Sequence, residues 1–362
     1  MDAVQYSCTG CGADLRFEPG AQTLVCAHCG TRNTLPDLPA PAAEIDFEAA
    51  LRDLASLAPT IQRPSVSCNS CGATVEFPEH VTASSCCYCG NPIVATATLV
   101  SHIRPNAVLP FAVTTDQARA LFERWIRSRW FAPGDFKRLA VLEGALVGVY
   151  LPYWTYDCRA TSRYTGRKGI YYYVNVPYTT TVNGKRVTRM RRERRTRWYP
   201  ASGTVRDRFN DILVSGGSSL NARKLHTLQP WDLKACVAYS DQYLSGFRAE
   251  TYRVGLREGF DLAKQAAVPA IERSIRADIG GDTQVISRYV SDYDEITFKH
   301  LLLPVWLCAY RYRDRPFQIM VNARTGELVG DRPWSAWKIS FLILAILAAL
   351  GAIVLAFVLT SG

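Results

Sequence analysis

Eight cysteines near the start of the chain are spaced to hold metal. Cys8 and Cys11 form one C-x2-C pair and Cys26 and Cys29 a second; sixty positions on, Cys68, Cys71, Cys86 and Cys89 repeat the arrangement. In both sets fourteen residues separate the pairs. Four thiolates delivered this way complete a tetrahedral Zn²⁺ site with bonds of about 2.3 Å. A single pair carries little information, but two matched sets sharing one spacing are hard to obtain by chance. The expectation is two zinc ions per chain. Each pair is followed by glycine, at Gly12, Gly30, Gly72 and Gly90, where a positive φ lets the backbone turn around a metal. With four thiolates in place no coordination position stays open, so the metal is structural: it replaces a core that a unit of this size cannot build. Cys87 breaks the second set, and the repeat register leaves it as a spare thiol. His28 lies inside a knuckle that already has its full ligand set. Disulfides fit poorly with a reducing compartment, and an iron–sulfur cluster is the weaker reading. Cys158, Cys236 and Cys308 are scattered, as inert buried thiols are.

A second group of residues has phosphate chemistry. Lys185, Arg186, Arg189, Arg191, Arg192, Arg194, Arg195 and Arg197 are opposed by one acid, Glu193. Before them run Tyr171, Tyr172, Tyr173 and Tyr178, then Asn183-Gly184, a strong two-residue hairpin signal. A two-stranded ribbon over 170–199 is therefore expected. It would suit acidic lipid headgroups or nucleic acid. The plainer reading, a solvated insertion whose charges keep an edge strand soluble, ranks first; acidic phospholipid ranks second and nucleic acid third. The whole chain is basic, with 42 Lys+Arg against 32 Asp+Glu and a net charge of +10, which favours an anionic partner without choosing one.

Enzyme signatures are missing. No G-x4-G-K-[ST], HExxH, G-x-S-x-G or G-x-G-x-x-G occurs. The histidines (His28, His80, His102, His226, His300) do not cluster by spacing, and Asp292, Asp294 and Glu295 read as solvated loop acids. The chain is expected to be non-enzymatic.

These groups need elements to position them. Residues 1–35 form the first ribbon and 65–99 the second, with hairpin strands at 15–17 and 74–77. Between them, 36–64 is a linker: Leu35–Pro41 reads as stiff and proline-rich, and a short helix is predicted over 45–57, packed on a ribbon or a partner. Residues 100–335 make an α+β domain with mainly antiparallel sheet. Helices are predicted near 115–130 and 255–279, strands over 141–156 and 301–312, and a tight turn at Asn322–Gly326. Leu151-Pro-Tyr-Trp154 and Leu303-Pro-Val-Trp306 lie 152 positions apart, leaving internal duplication and coincidence evenly matched. Finally, 339–359 is uncharged and about 30 Å long as a helix, the thickness of a bilayer core. Trp334, Trp337, Arg332 and Lys338 precede it as interfacial aromatics and inside-facing cations do. Met1–Tyr6 has no signal-peptide character. The fold class is thus multidomain: two four-cysteine ribbons, an α+β domain and one C-terminal transmembrane helix. The expected localisation is single-pass in a bacterial inner membrane, with the N-terminal region cytosolic.

A family resemblance rests on an ordered set of motifs. The tandem ribbons are followed by Val108-Leu-Pro-Phe111, Trp130-Phe-Ala-Pro133 and Gly148–Asp157. Then come Tyr164-Thr-Gly166, Gln229-Pro-Trp231, Leu302–Trp306 and Val321-Asn322 with Thr325-Gly326. Nearly the whole chain resembles the bacterial membrane proteins with TFIIB-type zinc ribbons, a group typified by a membrane-stress adaptor of Bacillus. The resemblance implies an adaptor that recruits a flotillin-like SPFH protein to the membrane under envelope stress. Some members are labelled primosomal helicase-like, a label that the lack of an ATP-binding loop contradicts. The alternative reading is a membrane-tethered nucleic-acid binder using the ribbons and the arginine-rich arm. The arm departs from the family's usual length.

Overall fold

The computed structural model describes residues 7–21, 23–35, 43–55, 60–76, 83–89, 91–94, 98–136, 146–182, 185–217, 219–313 and 315–361. Two small cysteine-bearing units flank a nine-stranded, mainly antiparallel sheet, and an apolar helix leaves it at the C-terminal end. The first unit holds β1 (Leu15–Glu18), β2 (Thr23–Cys26) and β3 (Arg32–Thr34). β4 (Ile45–Asp46) and helix α1 (Phe47–Ala55) follow. The second unit holds β5 (Thr60–Ser67), β6 (Thr74–Glu76), β7 (Ala83–Ser85), β8 (Pro92–Val94) and β9 (Thr98–Ile103). The body contains β10 (Ala107–Val108), α2 (Thr115–Ser128), β11 (Leu146–Val182), β12 (Lys185–Ser215) and α3 (Ala222–Thr227). It continues with β13 (Val237–Ala238), β14 (Arg248–Ala249), α4 (Leu256–Ile279), β15 (Thr283–Tyr312), β16 (Arg315–Asn322) and β17 (Leu328–Gly330). Helix α5 (Ala336–Ser361) ends the described chain.

β11 and β15 form the spine, paired antiparallel from Leu146↔Cys308 to Gly169↔Thr283, with β12 along the outer side of β11. Alternation sends successive side chains to opposite faces. Val149, Leu151, Tyr153, Leu301, Leu303 and Val305 join one core, which takes in the second ribbon through Val66, Cys68, Ala73 and Cys86–Cys89. Tyr150, Leu302 and Trp306 join another, which takes in the first ribbon through Cys8, Leu15, Phe17, Leu24 and Cys26. The sheet itself therefore separates the two ribbons. The stiff proline-rich segment expected between them, Leu35–Pro41, lies outside the described residues from 36 onward.

Both spine strands exceed expectation. β11 does not stop at 156, and β15 begins at 283 rather than 301. In the added lengths one face is covered and the other is wet: Ala160 and Tyr164 are buried under α4 beside Ala267, Ile271 and Ile275, whereas Arg159 and Arg163 face solvent. Interleaved charges hide such a strand from a search for apolar runs. The predicted 45–57 helix is shorter, because Ile45 and Asp46 pair with Phe298 and Thr297 as a strand. It packs on the body, not on a ribbon: Phe47 lies 5.0 Å from Phe260 and 6.3 Å from Tyr156, ring to ring. Helices α2 and α4 lie where expected. The Thr114 side chain caps α2 in a capping box with Gln117.

The spine also decides the question of duplication. Leu151 stands directly opposite Leu303, so the two Leu-Pro-x-Trp segments cross at a local two-fold. Around that point the pairings match. β10 lies parallel to β15 through Val108↔Leu302, and β14 lies parallel to β11 through Ala249↔Tyr150. The Leu109 N–H donates to Leu302 O, and the Glu250 N–H to Tyr150 O, both at 2.9 Å. Trp306 Nε1 donates to Val113 O (2.8 Å) just ahead of α2, and Trp154 Nε1 to Val254 O (2.9 Å) just ahead of α4. Phe111 and Tyr252 meet Trp306 and Trp154 at 5.1 and 5.2 Å. The body is two β–α–β–β halves, each tryptophan anchoring the other half's helix. They differ where each spine strand turns back. From Val305↔Asn322 the second half reaches its turn at Tyr312↔Arg315. From the equivalent Tyr153↔Ser215 the first half runs on to Val182↔Lys185.

Helix α5 is longer than the predicted 339–359 span. Its window Ala336–Ile353 has a mean hydropathy of 2.2, none of it is buried, and it is long and apolar enough to cross a membrane.

Candidate metal centres and the basic arm

Each cysteine set converges. The Sγ atoms of Cys8, Cys11, Cys26 and Cys29 lie within 4.8 Å of one another, as do those of Cys68, Cys71, Cys86 and Cys89. The contacts run between knuckles: Cys8–Cys29 and Cys11–Cys26 at 3.5 Å, Cys68–Cys89 at 3.7 Å and Cys71–Cys86 at 3.6 Å. A tetrahedron of four sulfurs about 2.3 Å from a zinc ion has edges of about 3.8 Å, whereas disulfide sulfurs are bonded at about 2.05 Å. The spacing therefore fits metal ligation, and all twelve cysteines are free thiols. Cys87 lies outside the second set.

The knuckles form as their glycines require. Gly12, Gly30 and Gly72 have φ of 76°, 74° and 73°; Gly90 is outside the described residues. Each of these three glycines donates its N–H to the carbonyl of the first cysteine of its pair, at 2.9, 3.0 and 2.7 Å. Backbone N–H groups also reach sulfur, from Gly10 to Cys8 at 3.3 Å and from Tyr88 to Cys86 at 3.4 Å. Within each set the thiols are pushed in both directions. Against the pull of the Ala13 N–H, neighbouring cysteines push Cys11 up to about 12, and burial pushes Cys71 up to about 11, whereas one thiol of each set is drawn toward the thiolate. The Thr31 hydroxyl, then its N–H, hold Cys29 down to about 6. Burial opposes ionisation of Cys68, but the Cys71 and Ser70 N–H groups bring it down to about 7. Thiolates are the state a metal binds.

The ribbons dock in different ways. The first presents its sheet: Phe17 lies 5.1 Å from Tyr243 and 6.3 Å from Phe247, and its N–H donates to Ser245 O at 3.1 Å. Its knuckle tips Thr9, Gly10, Ala27 and His28 stay exposed. The second presents a knuckle, with Cys86, Cys87, Tyr88 and Cys89 all buried. The Tyr88 hydroxyl donates to Glu250 Oε2 at 2.8 Å, and Gln318 Nε2 donates to Tyr88 O at 2.6 Å. Glu250 also accepts from the Ser219 hydroxyl. Burial raises this carboxyl above the usual range, against the pull of those hydroxyl donors. Neither Tyr88 nor Glu250 stands out in the sequence. The one signal was a tyrosine in the second ribbon at the position of His28 in the first.

The arm has the predicted pairing, Ile170↔Arg197 to Val182↔Lys185; Asn183 and Gly184 lie outside the described residues. At Gly169 the third strand ends, and two strands alone run on for about 43 Å at roughly 3.3 Å per residue. There the Asp282 N–H donates to Gly169 O at 2.9 Å, so the turn after α4 marks the arm's base. Facing residues share a face. Arg186, Arg192 and Arg194 lie with Tyr171 and Tyr173 on one, and Lys185, Arg189, Arg191, Arg195 and Arg197 with Tyr172 and Tyr178 on the other. Arg192 sits 4.1 Å over Tyr173, Arg194 4.3 Å over Tyr171, and Arg197 5.2 Å over Tyr172. Such stacking stiffens a hairpin that two strands alone hold weakly. Glu193 reaches Arg191 at 3.7 Å.

The other acids and histidines are accounted for differently. Asp292 and Asp294 are strand residues rather than loop acids, ion-paired across the sheet to Arg163 (2.8 Å) and Arg159 (2.7 Å); Glu295 also meets Arg159, at 3.0 Å. Of the histidines, His28 and His226 are exposed, while His300 is buried and stacks on Trp154 at 4.5 Å. His80 falls outside the described residues.

Over 342 residues the chain is 24% identical to the uncharacterized protein YdjG of Bacillus subtilis (strain 168), spanning 93% of this chain and 92% of that one. No protein-family description and no solved structure matches it.

Proposed function

We propose that the chain is a non-enzymatic, membrane-anchored adaptor whose two zinc-held ribbons brace the body and whose first ribbon meets a cytosolic protein. The carrying observation is the contrast in docking: the first ribbon keeps its knuckle tips exposed, and the second has one of its knuckles buried in the body. Ligand sets made only of cysteine favour zinc over harder cations. Helix α5 supplies the bilayer anchor. Arg332 and Lys338 ahead of it keep the body on the cytosolic side of a bacterial inner membrane. The resemblance to TFIIB-type zinc-ribbon membrane proteins supplies the partner class, a flotillin-like SPFH protein, and the setting, envelope stress. The test is recruitment of a fluorescent SPFH partner to the membrane. Thr9→Glu with His28→Glu should abolish it while zinc stays at two equivalents. Unchanged recruitment moves the partner's site off the first ribbon.

A second reading has its own support. The arm carries cations and tyrosines on both faces, whereas a flat bilayer meets one face at a time. A two-stranded ribbon fits a nucleic-acid groove, where phosphates flank it on both sides. Steep salt dependence of binding to random DNA, lost when Arg189, Arg191, Arg195 and Arg197 become Gln, favours that reading. Binding only to vesicles with acidic phospholipid favours lipid.

A further inference from the structure

The turn after α2 meets the start of α5, more than two hundred positions later in the chain. Lys338 Nζ donates to Trp130 O at 3.0 Å and to Ala132 O at 2.9 Å, and the Ser335 N–H donates to Phe131 O at 2.8 Å. The Phe131 and Trp334 rings lie 6.3 Å apart, and the Arg332 guanidinium sits 4.3 Å over Trp334. One ammonium group thus satisfies two carbonyls of the turn beyond α2, so the contact fixes the turn beside the apolar helix. Three tryptophans in this collar are nevertheless open to solvent: Trp130 is 75% exposed, Trp334 60% and Trp337 80%. A soluble body rarely leaves such rings uncovered together.

We propose that the Trp130 turn is a second membrane contact, seated in the headgroup layer of the bilayer that α5 enters. The inference rests on reading α5 as a membrane span. Lys338 stands one residue before the uncharged run that begins at Ile339, so the carbonyls it holds lie within a lysine's reach of the hydrocarbon boundary. Tryptophan is the residue that prefers that depth, with its ring in apolar surroundings and its N–H wet. Arg332 and Lys338 supply cations for lipid phosphates at the same level. The partner is therefore the glycerophospholipid interface itself, and the body is held to it at two points rather than swinging from one.

The test uses the full chain labelled with 5-fluorotryptophan in phosphatidylcholine–phosphatidylglycerol nanodiscs, with ¹⁹F lines assigned through Trp130→Phe and Trp337→Phe. Lipid carrying a nitroxide near the headgroup should remove most of the intensity of the Trp130 and Trp337 lines. The buried Trp154 and Trp306 should keep theirs. Loss at Trp337 alone, with Trp130 broadened only by a gadolinium chelate in the water, overturns the second contact and leaves the anchor standing. Retention of both lines overturns the contact and the span together. Because the Trp130 side chain is exposed, Trp130→Phe leaves the fold intact, and its unchanged thermal transition is the control.

Discussion

The two ribbons have the same ligands at the same spacing, yet they occupy opposite faces of the sheet and opposite roles in the core. In the first, His28 points to solvent and the ribbon is held by Phe17 on the far side from the knuckles' tips. In the second, the equivalent Tyr88 is fully buried and bonded to a buried carboxylate. At the knuckle tip, exposed Ala27-His28 of the first ribbon stands where the second has buried Cys87-Tyr88. Cysteine spacing sets how a ribbon folds; the residues between the cysteines set which way its knuckle faces.

This contrast sets an order of effects. The largest should come from the metal. Cys86→Ser in the second ribbon loosens a knuckle buried in the body, and should lower stability by more than about 3 kcal/mol, the range that follows loss of a structural metal. Cys11→Ser, at an exposed position of the first, should cost less, because that ribbon joins the body core through its sheet (Leu15, Phe17, Leu24) rather than through a buried knuckle. Thermal melts followed by tryptophan fluorescence in detergent, with zinc measured beside them, check both. Equal losses would break the comparison.

Tyr88→Phe should come next. It strips a donor from buried Glu250 and should cost roughly 1–3 kcal/mol, against a change within about 0.5 kcal/mol for His28→Ala at the exposed position. Chemical denaturation of both variants separates the buried position from the exposed one.

The Glu250 carboxyl adds a pH signature to the second ribbon alone. Its folded-state value is raised by burial, so the folded chain holds this proton more tightly than the unfolded one. Its contribution is therefore most favourable below the usual carboxylate range, and declines as pH rises from there through the raised folded value. Glu250→Gln should remove that decline, and the difference in stability between the two proteins should shift steadily with pH. A pH-independent difference would mean that the carboxyl titrates normally. The smallest effect belongs to Cys87→Ser, which should leave zinc at two equivalents by elemental analysis; a drop would make Cys87 a ligand.

How far these features could be read in advance follows from their range in sequence. The ligand sets, the glycine turns, α2, α4 and the apolar helix each depend on residues close together, and each lies at or near its expected place. The strands were underestimated because Arg159, Arg163 and their neighbours alternate with small buried residues such as Ala160 and Ser162, so no apolar run marks them. The docking was illegible because Tyr88 meets Glu250 across more than 160 positions, and no local pattern encodes that meeting. The duplication lies between these cases. Two Leu-Pro-x-Trp segments hinted at it, but the matched strand pairings and the matched bonds of Trp154 and Trp306 are what distinguish it from chance.

The place of the first ribbon has a consequence for how the protein is made. Its four cysteines are complete at residue 29 and its third strand at Thr34, so every residue the unit needs is made early. Its seat is not yet there: Phe17 needs Tyr243 and Phe247, and Ile45 needs Phe298. At bacterial translation rates of roughly 5–20 residues per second, more than two hundred residues amount to something between ten seconds and most of a minute. Over that interval the ribbon has its full cysteine set but an uncovered aromatic face. The nascent chain then closes its core around an early piece and a late one together, and the apolar helix follows only after that closure has become possible.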